Sequence, residues 1–68
     1  MINANMLKGK MAEAGITQRI LAEKVGFSEN TLTRKISGKR DFTTSEAVKI
    51  CEILGITDNA VKVQIFLA

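Results

Sequence analysis

The chain has 68 residues, a net charge of +3, 25% charged residues, no histidine, tyrosine or tryptophan, and one cysteine, Cys51. That length holds one domain, 1–68, and a chain so short buries only roughly 60% of the surface it exposes when unfolded. A structural zinc takes four Cys or His ligands and an internal disulfide takes two thiols, so neither staple is available and no metal or cofactor is expected.

The same inventory removes most enzyme classes. Without histidine there is no Cys–His or Ser–His pair, no glycine-rich loop cradles a phosphate, and the carboxylates are scattered singly, so the chain is read as not an enzyme. Met1 to Asn5 lack the basic start and apolar run of a signal peptide, and no apolar stretch approaches the ~20 residues that span a bilayer. The expectation is a soluble cytoplasmic protein with no membrane partner, and a lone thiol fits a reducing compartment.

Charge is unevenly placed. Residues 1–40 carry eight basic and three acidic side chains, whereas residues 41–68 carry two basic and four acidic ones. Arg34, Lys35, Lys39 and Arg40 form a run with no anion between them. A local basic patch on a small domain is an electrostatic footprint for nucleic acid, although charge alone favours the plainer reading of a solvated face.

In chain order, a first segment from about Asn3 to Ala14 repeats Ala4, Leu7, Met11 and Ala14 at spacings of three and four, a helical stripe ended by Gly15. A second runs from Gln18 to Val25. Thr17 caps it, Ile16 and Leu21 hold the positions of a hydrophobic staple, and Gly26 ends it. A third runs from Glu29 to Ile36, with Ser28 as cap, Phe27 and Leu32 repeating the staple, and Gly38 after it. Its Leu32 and Ile36 point one way, while Glu29, Asn30, Thr33, Arg34 and Ser37 lie elsewhere and are all polar. A fourth runs from Thr44 to Leu54, where Thr43 and Glu46 have capping-box spacing and Ala47, Ile50, Cys51 and Leu54 form the apolar stripe. Cys51 is thus read as a small core residue and Phe42, preceding the cap, as core.

The tail, 57–68, admits two readings. Thr57 is placed to cap a short fifth helix, yet Val61, Val63, Ile65 and Leu67 alternate with other residues as in a strand. A strand needs a partner chain, and helix is the preferred reading. The fold expected is all-α, four or five helices.

Segments two and three are joined by Gly26, Phe27 and Ser28 alone. A three-residue connection with a glycine is what a helix-turn-helix requires, and small Ala22 lets the two helices approach. With Leu21, Val25, Leu32 and Ile36 in one core, the polar face of the later helix projects, and such a helix fits a major groove about 12 Å wide.

The stretch from Thr17 to Arg40 resembles the Cro and lambda-repressor family, the XRE type. The matching features are Gln18, Leu21-Ala22, Val25-Gly26, Ser28, Leu32 and the closing Gly38-Lys39-Arg40, with the order of flanking helices extending the likeness from residue 3 to about 56. The stretch from Arg34 to Phe42 is similar to short phage and prophage regulators. The chain departs at Lys35 and Ile36, where many members place an apolar residue followed by glutamate, which implies core packing shifted by one position.

The resemblance implies a sequence-specific regulator of transcription that binds double-stranded DNA. It implies base reading by Ser28, Glu29, Asn30, Thr33 and Arg34. Arginine suits guanine O6 and N7, asparagine suits adenine, glutamate accepts from cytosine N4, and a threonine methyl meets thymine. Glu29 equally suits a helix N-terminus electrostatically. The phosphate contacts implied are Gln18, Arg19, Lys35, Lys39 and Arg40, which position without reading. Thr43 and Thr44 are further phosphate candidates, though capping explains Thr43. A homodimer on a pseudo-palindrome is expected, with Val61, Val63, Ile65, Phe66 and Leu67 as its face or, equally, as intramolecular core. No small-molecule effector is expected. The alternative function is a helical module that binds another regulator protein.

Overall fold

In a computed structural model, which describes residues 2–67, the chain forms five helices: α1 (Ala4–Ala14), α2 (Gln18–Val25), α3 (Glu29–Ile36), α4 (Thr44–Leu54) and α5 (Asn59–Phe66). The local reasons are the caps. Asn3, Thr17, Ser28 and Thr43 each accept a hydrogen bond from the backbone N–H three residues on, which satisfies an otherwise orphaned donor of the first turn. At the start of α4 the capping box is complete, because the Glu46 carboxylate accepts from the Thr43 N–H as the Thr43 hydroxyl accepts from the Glu46 N–H.

The helices surround one apolar core. Leu7 and Met11 enter it from α1, Leu21, Ala22 and Val25 from α2, Leu32 and Ile36 from α3, and Ile50 and Cys51 from α4. Ile56, just past α4, completes the end of that helix from within the core, its N–H donating to the Cys51 carbonyl at 2.9 Å. Ile16 and Phe27, placed for the expected staples, are half-buried and packed against the cluster. Ala14, the last residue of the predicted α1 stripe, is exposed. α2 packs on α3 and α4, and α1 packs on α4 and α5. α2 is therefore packed between α3 and α4. No helix among the described residues is long and apolar enough to cross a membrane.

The tail follows its preferred reading, with one correction at its cap. It is helical over Asn59–Phe66, so the strand reading falls. Its cap is Asp58 rather than Thr57, since the Asp58 carboxylate accepts from the Ala60 N–H at 2.8 Å. Ile65, counted in a dimer face, is fully buried in the core. The alternation fits a helix as well, because eight residues sample every face: Ile65 is fully buried, Val61 packs on the edge of the core, and Val63 and Leu67 are exposed. The Ile65 carbonyl also accepts from the Asn3 N–H at 2.7 Å, which fastens the start of α1 to the end of α5.

Replacing Ile65 by Ala removes a side chain with no solvent contact, a change that costs about 2–5 kcal/mol. In a domain this small the melting temperature should fall by at least about 10 °C. Thermal unfolding across a range of protein concentrations checks this, and the loss should be the same at every concentration. A loss confined to high concentration would return Ile65 to an intermolecular face.

Candidate functional site

The turn between α2 and α3 decides what α3 presents. Gly26 ends α2 at φ +99°, a left-handed conformation that a Cβ makes costly. The N–H groups of Gly26 and Phe27 both donate to the Ala22 carbonyl, at 2.8 and 2.9 Å, so the chain reverses tightly. Lys49 reaches from α4 to the Val25 carbonyl at 3.5 Å, placing a cation at the negative end of α2. Leu32, Lys35 and Ile36 then face inward from α3, and Glu29, Asn30, Thr33 and Arg34 stand exposed on its other side.

Two of the sequence-predicted residues meet across the turn. The Thr33 hydroxyl lies 3.3 Å from Gln18 Oε1 at the start of α2 and 3.0 Å from the Glu29 carbonyl, so Gln18 and Thr33 form a polar bridge between the helices. Ser28 is already engaged: its Oγ accepts from the Thr31 N–H at 3.1 Å and donates to the Thr31 hydroxyl at 2.9 Å. What it has left for a ligand is spare acceptor capacity. Arg34, Lys39, Arg40 and Arg19 are exposed and enter no ion pair among the described residues. The N–H groups of Lys39 and Arg40 both point to the Arg34 carbonyl, at 3.0 and 3.4 Å. The basic run is thus folded back on the end of α3 rather than strung out from it.

Lys35, expected as a phosphate clamp, is turned inward in the free domain. It is 6% exposed. Its ammonium donates to Glu46 Oε1 at 2.6 Å and lies 4.7 Å from the centre of the Phe27 ring and 5.8 Å from that of Phe42. The sequence read the residue as exposed because lysine is almost never fully buried without a partner. Its partner is eleven positions away, on the far side of a loop. The available signal was helical spacing, since Lys35 follows Leu32 by three and adjoins Ile36 on the inner face.

The three phenylalanines of the protein form one chain of ring contacts beside Lys35. Phe42 packs against Phe27 with ring centres 6.5 Å apart and against Phe66 edge-on at 5.6 Å. Two electronegative ring faces and one carboxylate replace the water that the ammonium loses. On the carboxyl side, burial pushes Glu46 up, but the hydrogen bonds from Lys35 and the Thr43 amide, with the Lys35 charge, outweigh it, and the group is held below its ordinary range. Burial raises the Cys51 thiol, with the Lys62 charge opposing, so Cys51 is a protonated core residue at neutral pH.

A carboxylate whose folded value is depressed adds stability above its unfolded value and loses it as pH falls through the folded one. At pH 7 the wild-type chain should therefore resist urea better than Glu46→Gln, which keeps a capping acceptor but not the charge. The gap between them should close as pH drops through the carboxylate range. Urea midpoints at a series of pH values measure it, and a gap that stays constant would remove the charge from the argument.

Comparison with known families agrees with this geometry. The model of the Cro/C1-type HTH DNA-binding domain matches residues 6–57, about three-quarters of the chain, including the whole of α2, the turn, α3 and α4. A search of curated proteins finds no match. With a tight glycine turn, an inward face of Leu32 and Ile36 and an outward face of polar side chains, the chain belongs to the Cro/C1-type helix-turn-helix family of DNA-binding domains.

Proposed function

We propose that the protein is a sequence-specific transcriptional regulator of the phage or prophage repressor and Cro-like kind, inserting α3 into the major groove as a homodimer on a pseudo-palindromic operator. The observation that carries this reading is the exposed polar face of α3 set against its buried Leu32 and Ile36. Arg34 and Asn30, four apart and exposed, suit the two-bond recognition of guanine and of adenine. Glu29 in the first turn faces cytosine N4 or serves the helix N-terminus, and Thr33 offers its methyl while its hydroxyl bridges to Gln18. Ser28 is left a supporting role because its hydroxyl caps α3. Gln18, Arg19, Lys39 and Arg40 bear on phosphates; Lys35 is withdrawn from that set.

The dimer face is redrawn by burial. Val63 and Leu67 are 52% and 75% exposed, and Val48 of α4, which sequence spacing did not single out, is 52% exposed. All three line one groove between α4 and α5, with Phe66 and Phe42 at its floor. Phe66 and Val61 are half-buried and packed on the core, so they contribute an edge at most. An isologous contact through this groove puts the same apolar patch on both subunits.

Selection from a randomised duplex library at two salt concentrations tests the function. A two-fold-symmetric sequence with half-sites about 34 Å apart should emerge, and its affinity should fall steeply with salt. Affinity flat in salt, with no sequence enriched, favours a protein partner instead. On the selected duplex Arg34→Ala should cost ~1–3 kcal/mol and relax one base pair; an equal loss on every sequence would make Arg34 a phosphate contact. Leu67→Asp should stay folded yet sediment as a monomer and bind the full site at least tenfold more weakly, about 1.4 kcal/mol. Undiminished self-association would remove the α4–α5 groove from the dimer.

A further inference from the structure

We propose that Lys35, though it sits on the recognition helix, is a positioning residue that never meets DNA, and that with Glu46 it sets the placement of the cations that do. The inference rests on the DNA-binding reading and adds to it the means by which α3 and the following loop are held in one piece. Lys35 and Glu46 are eleven residues apart, and their contact at 2.6 Å closes the chain between α3 and α4 into a loop that contains Lys39 and Arg40. The loop is pinned from inside at both ends. At its start the Gly38 N–H donates to the Lys35 carbonyl at 3.3 Å, and the Lys39 and Arg40 amides converge on Arg34. At its end Thr43 is locked to Glu46 by the capping box, through the same Oε1 that receives the Lys35 ammonium.

The aromatic floor ties a third element to this loop. Phe27 belongs to the turn that aims α3, and Phe42 to the end of the basic loop, and both rings lie under the one ammonium. A rotation of α3 about its axis would therefore draw Lys35 away from Glu46 and from both rings together. The cost of leaving Glu46 without its cation opposes that rotation. Arg34, one residue before Lys35, and Lys39 and Arg40, hydrogen-bonded to Arg34, move as a rigid group with it.

Two variants test the assignment. Lys35→Met keeps the length and apolar stem of the side chain, and Glu46→Gln keeps the acceptor for the Thr43 amide. The first readout needs no DNA. Amide hydrogen exchange at Gly38, Lys39 and Thr43 should quicken by about tenfold or more in both variants, with exchange in α1 less affected. Unchanged exchange would overturn the pinning. The second readout compares the library-selected duplex with a scrambled one, at a temperature where each variant is fully folded. Both variants should lose affinity for the selected duplex about tenfold more than for the scrambled one, with the salt slope unchanged, because no phosphate contact has been removed.

The rival reading, in which Lys35 swings out to a phosphate, gives opposite signs. Glu46→Gln would free the ammonium, tighten binding to both duplexes and steepen the salt slope, and Lys35→Met would lower the slope by about 0.9. Either result overturns the proposal. If no duplex is selected at all, the DNA reading fails on its own, and the exchange experiment still decides whether Lys35 pins the loop.

Discussion

The surface that this domain offers depends on how sharply the chain reverses between Val25 and Glu29. Three residues make the reversal, and each solves one problem. Gly26 takes the left-handed conformation, Phe27 sends its ring back toward the core, and Ser28 supplies the acceptor that the first turn of α3 lacks. Because both α2 and α3 must bury their apolar stripes in a common core, the angle between them is fixed by packing rather than by the turn alone. An outward polar helix is what remains once those demands are met. The interface is thus a by-product of core formation, and only the identity of its outward side chains is free to vary.

The fold was legible largely because its boundaries are chemical. The capping residues Thr17, Ser28 and Thr43 and the closing residues Gly15 and Gly26 act within four residues of sequence, so α2, α3 and α4 begin, and α1 and α2 end, where local spacing placed them. α5 was harder. It has no glycine to end it, its apolar residues occupy nearly every face, and its cap competes between Thr57 and Asp58. What makes Ile65 buried and Leu67 exposed is the position of α1, a long-range fact tied down by the Asn3–Ile65 hydrogen bond.

The candidate site divides in the same way. Exposure of Glu29, Asn30, Thr33 and Arg34 follows from helical periodicity once Leu32 and Ile36 are known to point inward. The inward turn of Lys35 fits the same periodicity but went unread, because its partner, Glu46, had already been explained by the capping box. One carboxylate serves two purposes, and sequence spacing revealed the nearer of them. The bridge from Thr33 to Gln18 was hidden for a related reason, since both were read as facing a ligand and the contact between them depends on the crossing of α2 and α3.

The Lys35–Glu46 pair also constrains how this sequence can drift over generations. A change at position 35 alone strands a partly buried carboxylate, and a change at position 46 alone strands an ammonium among aromatic rings, so each single step meets a barrier. An apolar residue at 35 together with glutamine at 46 leaves no orphaned charge and still completes the cap on α4. Losing either charge alone therefore costs more than losing both together, which makes the two positions energetically coupled.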